Sequence, residues 1–133
     1  MAKRKKPAAR RSAKPAGPPT NTTPLAQFCR TLPGTTEDIK WEDDLVFSVA
    51  GKMYAAFDIE NSDDVGFKCD DVEFERLTRI DGIIPAPYAA RFGWVKVRRR
   101  GVLPLPELKR LIRRSYDLVV EKLPAKARAA LAR

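Results

Sequence analysis

The chain has 133 residues, 26 of them Lys or Arg and 17 Asp or Glu, for a formal charge of +9; it contains no histidine and two cysteines. That length suits one domain, and the missing histidine excludes imidazole acid–base catalysis, Ser-His-Asp and Cys-His nucleophile systems and every histidine-containing metal site. Two cysteines are too few for a disulfide framework, and no run approaches the roughly 20 apolar residues of a membrane span, so a cytoplasmic protein without a membrane partner is expected.

The charge is segregated along the chain. Residues 1–24 carry Lys3, Arg4, Lys5, Lys6, Arg10, Arg11 and Lys14 and no acid. Residues 25–90 have a net charge of −8 and residues 91–133 a net charge of +10. Residues 1–22 are rich in Lys, Arg, Pro and Ala and have no large apolar side chain after Met1. Such a stretch cannot bury enough surface to offset the entropy of ordering, so it is expected to be a disordered basic arm. It also lacks the apolar core of a secretion signal.

Order is expected from Thr23-Pro24, an N-cap followed by a proline suited to the first helical position. Leu25, Phe28, Cys29 and Leu32 then share one helical face, which makes Cys29 a packed core thiol. Pro33-Gly34 stops this helix. Ile39 and Trp41 alternate on a first strand, and Glu42-Asp43-Asp44 turn the chain. Leu45, Phe47 and Val49 mark a second strand, and Gly51-Lys52 the hairpin turn after it. Met53, Ala55, Phe57 and Ile59 are expected on one face of a third strand, and Val65, Phe67 and Cys69 on one face of a fourth. Short connections make this an antiparallel meander.

Asp70 with Glu73 is a capping-box spacing and opens a helix bearing Val72, Phe74 and Leu77. Residues 83–87 cannot be helical because of Pro85 and Pro87. An irregular stretch through Tyr88–Gly93 leads into a strand, Trp94–Val97, followed by the loop Arg98-Arg99-Arg100-Gly101. The longest helix is expected from Leu105 to Leu123, with Leu108, Leu111, Ile112, Tyr116, Val119 and Leu123 as its apolar stripe and Lys109, Arg110, Arg113 and Arg114 off it. Arg113 and Asp117 are spaced for an ion pair one turn apart. A short helix after Pro124 carries Ala127, Ala130 and Leu131.

Three segments resemble a known family: Leu32–Trp41 running into Leu45-Val46-Phe47 and Gly51–Ala55; Ala86–Val95; and Ser115–Val119 with Lys122-Leu123-Pro124. Their order and spacing are similar to those of the MmcQ/YjbR family over about residues 25–125. The resemblance implies a CyaY-like α+β domain over residues 23–133, an antiparallel sheet of about five strands packed by helices. It also implies DNA binding through a double-wing motif of projecting hairpins.

The DNA-binding expectation has a charge pattern beside it. Arg suits phosphate because its planar fork gives two parallel hydrogen bonds. The nucleic-acid-binding set is therefore Lys3, Arg4, Lys5, Lys6, Arg10, Arg11 and Lys14 of the arm with Arg91, Lys96, Arg98, Arg99, Arg100, Arg110 and Arg114 of the C-terminal third. Trp41, Tyr88, Phe92 and Trp94 are candidates for base stacking, although both tryptophans are expected in the core. Frataxin-like folds carry an acidic ridge that handles iron, and here Glu37, Asp38, Glu42, Asp43 and Asp44 crowd together. Carboxylates alone hold a hard cation weakly, so these acids are expected to cap turns or to turn nucleic acid away from one face. No catalytic residue, metal or cofactor is assigned. Ser115 has no base beside it, and the Tyr116 hydroxyl is expected to be tied to a neighbour. The alternative to DNA binding is a protein-interaction adaptor whose acidic 37–44 surface meets a basic partner.

Overall fold

Thr23 caps the first helix, α1 (Pro24–Arg30), by accepting the Ala26 N–H on its hydroxyl at 3.3 Å. Asp70 caps α2 (Asp71–Thr78) by accepting the Glu73 N–H at 2.9 Å. Both caps satisfy a backbone donor that a helix start leaves open. Pro106 sits in the first turn of α3 (Leu105–Glu121), and α4 (Ala125–Leu131) follows. The computed structural model describes residues 23–41, 43–60, 64–99 and 101–131. The arm with its seven cations and its expected disorder, and Arg100, lie outside the described residues.

Six strands form one antiparallel sheet in the order β1-β2-β3-β4-β6-β5. They are β1 (Thr35–Lys40), β2 (Asp44–Val49), β3 (Lys52–Asp58), β4 (Val65–Lys68), β5 (Ile83–Pro85) and β6 (Trp94–Val97). The first four make the expected meander. The sixth strand is β5, the extended segment whose prolines exclude a helix. It lies at the sheet edge, where Pro85 has no ladder hydrogen bond to break.

The helices cover one face of the sheet. α3 packs across β3 and β4 and against α1, and α2 lies against β5 and β6. Leu45, Phe47, Val49, Ala55, Phe57, Val65, Phe67, Val95 and Val97 point into this core and meet Leu77, Leu111, Ile112 and Tyr116. Phe47 and Phe57 pack edge to face at 5.7 Å between centroids. Each large side chain buried here contributes about 1.5–3 kcal/mol.

Two local expectations are corrected. The hairpin turn is centred on Ala50-Gly51, both in left-handed backbone (φ 51° and 79°), because Val49 pairs with Lys52. The β3 alternation also breaks. Ser48 faces Met53 while Phe47 faces Ala55, so Tyr54 is an extra residue on β3. A bulge of this kind sends two successive side chains the same way. Tyr54 therefore joins Ala55 in the core, and Met53 turns to the opposite face. Tyr54 donates its hydroxyl to the Cys29 carbonyl (3.1 Å), accepts from Thr35 Oγ1 (2.8 Å) and packs edge to face on Tyr116. The Tyr116 hydroxyl donates to the Pro33 carbonyl at 2.5 Å, a neighbour of the expected kind.

Candidate functional site: the open face of the sheet

The face away from the helices carries a groove of about 720 Å³. Its floor comes from the smallest residues of adjacent strands, since Ala56 of β3 pairs with Gly66 of β4 and Gly66 with Lys96 of β6. A side chain at Gly66 would begin 3.7 Å from the Trp94 ring. That is ordinary van der Waals contact, so the indole lies against the sheet at Gly66, and Trp94 is buried as expected. Trp41, Tyr88 and Phe92 stand around the groove, with Met53 between the walls.

The aromatic rim is built at a local cost. Trp41 follows β1 directly, but its φ of 52° takes it out of the strand. It is 65% exposed, which corrects the expectation of a core tryptophan. Tyr88 has a φ of 66° and a fully exposed ring. Left-handed backbone at a bulky residue costs on the order of 1–3 kcal/mol. The loop bearing Tyr88 and Phe92 is pinned to β4. Lys68 Nζ donates to the Phe92 carbonyl (2.8 Å), and the Cys69 N–H donates to the Gly93 carbonyl (2.8 Å). Gly93 has a φ of 85°, and a Cβ there would lie 2.6 Å from the Cys69 carbonyl oxygen, so only glycine fits.

Carboxylates close one end of the groove. Asp44 and Asp58 are direct cross-strand partners, an arrangement that like charges disfavour. Burial, and then the Asp58 charge, push the Asp44 carboxyl above the usual carboxylate range. Asp64 is almost wholly buried and receives Lys96 Nζ at 3.5 Å and Arg98 Nε at 3.3 Å. Its pKa is still raised, because burial outweighs the two cations. Asp44 has no cation within ion-pair distance among the described residues.

Most folded cations of the nucleic-acid-binding set are paired with carboxylates. Lys96 and Arg98 share Asp64, and Arg99 reaches Asp81 at 3.1 Å. Arg110 bridges α2 and α3 by holding Glu73 and Glu107, each at 2.8 Å, and Arg76 completes that network. Hydrogen bonds to both glutamates raise the Arg110 pKa, while Arg76 most strongly lowers that of Glu73 and Arg110 that of Glu107. Arg114 lies near Asp70 and Glu121, and Arg113 pairs with Asp117 as expected. Arg91 meets no carboxylate among the described residues; its guanidinium lies 4.9 Å over the Phe92 ring. The −8 and +10 blocks of the sequence therefore fold onto each other, and most of the chain's excess charge belongs to residues 1–24.

Of the expected acidic cluster, Glu42 lies outside the described residues. Glu37 grips Arg30 with both oxygens (2.8 and 3.0 Å), and Asp44 belongs to the groove. Among the described residues no three potential metal-binding side chains come together. The nucleophile-bearing residues are occupied by the fold. Burial pushes the Cys29 and Cys69 thiols up to about 12 and raises the Tyr54 phenol. Ser115 donates to the Tyr54 carbonyl. Among the described residues no helix is long and apolar enough to cross a membrane.

An antiparallel sheet backed on one side by helices, with an aromatic groove on its free face, defines the class as an α+β open-sheet domain. The YjbR family model matches residues 30–118, and the chain belongs to the MmcQ/YjbR family. A Deinococcus radiodurans protein with a DUF419 domain is 31% identical, with a TM-score of 0.74 over 81% of this chain and 85% of that one. A Pseudomonas syringae protein shares the fold at 23% identity, with a TM-score of 0.59 over 74% of this chain and 98% of that one. No curated protein matches the sequence.

Proposed function

We propose that the chain is a non-catalytic interaction protein and that the open face of its sheet meets a protein partner. The observation that supports this best is the aromatic rim. Trp41 and Tyr88 hold large rings mostly or wholly in water from left-handed backbone, a conformation that costs on the order of 1–3 kcal/mol. Rigid rings around a groove are what an interface anchor requires. Residues 25–133 also carry a net charge of only +2 (−8 and +10), so long-range attraction to a polyanion falls mainly to residues 1–24.

A photo-crosslinking residue tests this reading. Tyr88→p-benzoylphenylalanine in the full chain should join a discrete protein in cell extract. The same residue in place of Val72, exposed on α2, should not. Equal labelling from both positions, or adducts with nucleic acid alone, contradicts the reading.

DNA binding is a second reading, favoured by the seven cations of residues 3–14 with no acid among them. Lys96, Arg98 and Arg99 follow one another at the end of β6, and the exposed Arg99–Asp81 pair is worth only about 0–1 kcal/mol, so phosphate can replace carboxylate there. If the arm neutralises about seven phosphates, log K falls with log salt at a slope of roughly −6. Anisotropy of a labelled duplex, with the full chain and with its arm cations changed to Gln, measures this. Binding that survives in the neutral-arm chain and is lost with Arg98→Ala and Arg99→Ala would put DNA first.

A further inference from the structure

We infer that the open-face groove receives a second copy of this chain, in a weak two-fold dimer in which Tyr88 of each copy enters the groove of the other. The inference rests on the interaction role proposed above and names the partner.

The charges of the groove are already matched within one copy. Asp64 holds Lys96 and Arg98, Asp58 accepts the Glu60 N–H at 2.8 Å, and Asp44 lies in the field of Lys96. A strongly charged partner of either sign would have to break these contacts. A balanced surface suits a partner balanced in the same way, and an identical copy is one. The apolar part of the surface is concentrated here as well. Among the large apolar side chains exposed in the described residues, Trp41, Tyr88 and Phe92 stand together on this groove.

A two-fold interface uses one patch twice, so that patch must carry both a projection and a recess. This face carries both. The Tyr88 ring is 100% exposed, and the recess beside it lies over the small floor of Ala56 and Gly66. The rings of Trp41, Phe92 and Trp94 line the recess and offer edge and face contacts to an entering ring.

Area sets the strength of the pair. With Trp41 65% and Phe92 56% exposed beside Tyr88, the three rings present on the order of 400 Å² per copy. Two copies bury about 800 Å² of ring surface, roughly half of a standard interface, and the groove floor adds to it. That places the dimer at the weak, transient end, monomeric near about 1 μM and dimeric near about 1 mM. Denaturation of dilute chain therefore reads the fold alone. Each copy also carries +9, so the two repel until salt screens them.

Sedimentation equilibrium of the full chain, across that concentration range and at low and high salt, tests the inference. The mass should rise from 14.9 kDa towards twice that value with concentration, and more so at high salt. Tyr88→Asn removes the projection and Ala56→Leu fills the recess; each should weaken association roughly tenfold or more. Val72→Ala, exposed on α2, should leave it unchanged. In the purified chain, Tyr88→p-benzoylphenylalanine should join two copies.

A mass that stays at 14.9 kDa throughout, or a Tyr88→Asn chain that associates as the parent does, overturns the inference. So does association that weakens as salt rises, because the contact is then ionic and the basic arm of one copy is held by carboxylates of the other. If the purified chain stays monomeric while crosslinking at position 88 in extract captures a different protein, the second copy falls and the interaction role stands.

Discussion

Ser115 donates its hydroxyl to the Tyr54 carbonyl at 2.7 Å and accepts the Lys68 N–H at 3.0 Å. The hydroxyl thereby replaces one rung of the sheet. The β3–β4 ladder reaches Ala55 and Phe67, and the bulge at Tyr54 separates the next pair of backbone groups. A helix side chain closes the gap and fastens α3 to two strands. Ser115→Ala leaves a buried carbonyl and a part-buried N–H without partners; at about 1–3 kcal/mol for the first and less for the second, a loss of about 2–4 kcal/mol is expected in urea denaturation.

The thiols give the chain a pH dependence on the alkaline side. Both have their pKa raised by burial from 9.0 to about 12. A raised folded pKa means that the unfolded chain loses its protons first. The stability tied to the neutral thiols is therefore complete below pH 9 and is lost as pH rises towards 12. Each thiol contributes a slope of up to about 1.4 kcal/mol per pH unit in that window. Cys29→Ala and Cys69→Ala should flatten the profile in proportion. At pH 8 a thiol reagent should react with the native chain only after unfolding.

Asp44→Asn should stabilise the chain at neutral pH by about 0.5–1 kcal/mol, because it removes a half-buried carboxylate from beside Asp58. The Asp44 pKa is raised, so its unfavourable contribution appears as pH rises through its folded range. The difference between variant and parent should therefore close below the carboxylate range. Thermal melts at neutral and strongly acid pH measure both points.

Helix starts and the α3 stripe were legible because caps and periodicity act locally. Thr23-Pro24, Asp70 with Glu73, and Leu111 to Val119 needed no knowledge of the rest of the chain. The β3 faces were not legible from alternation alone, because one extra residue at Tyr54 reverses Met53, and the pairing with β2 fixes that residue's place. Trp41 looked like strand alternation until its backbone entered the left-handed region. The groove was hidden for another reason: its walls come from residues 41 to 96 across β2, β3, β4, β6 and three connecting segments, and only strand order brings them together. The ion pairing of the basic C-terminal third was not legible, since Glu73, Asp64 and Asp81 reach it only through folding. The aromatic signal was visible in Tyr88 and Phe92, but an exposed ring and a core ring look alike in sequence.

The central claim is that the rim aromatics serve a partner and not the fold, and denaturation of Tyr88→Asn tests it most directly. The ring is fully exposed and the backbone is left-handed, a conformation asparagine accepts more readily than tyrosine. Urea denaturation should show the full-length variant more stable than the parent by about 0.5–1 kcal/mol. A loss of about 1 kcal/mol or more would show that Tyr88 holds the fold together, and the account of the open face would fail.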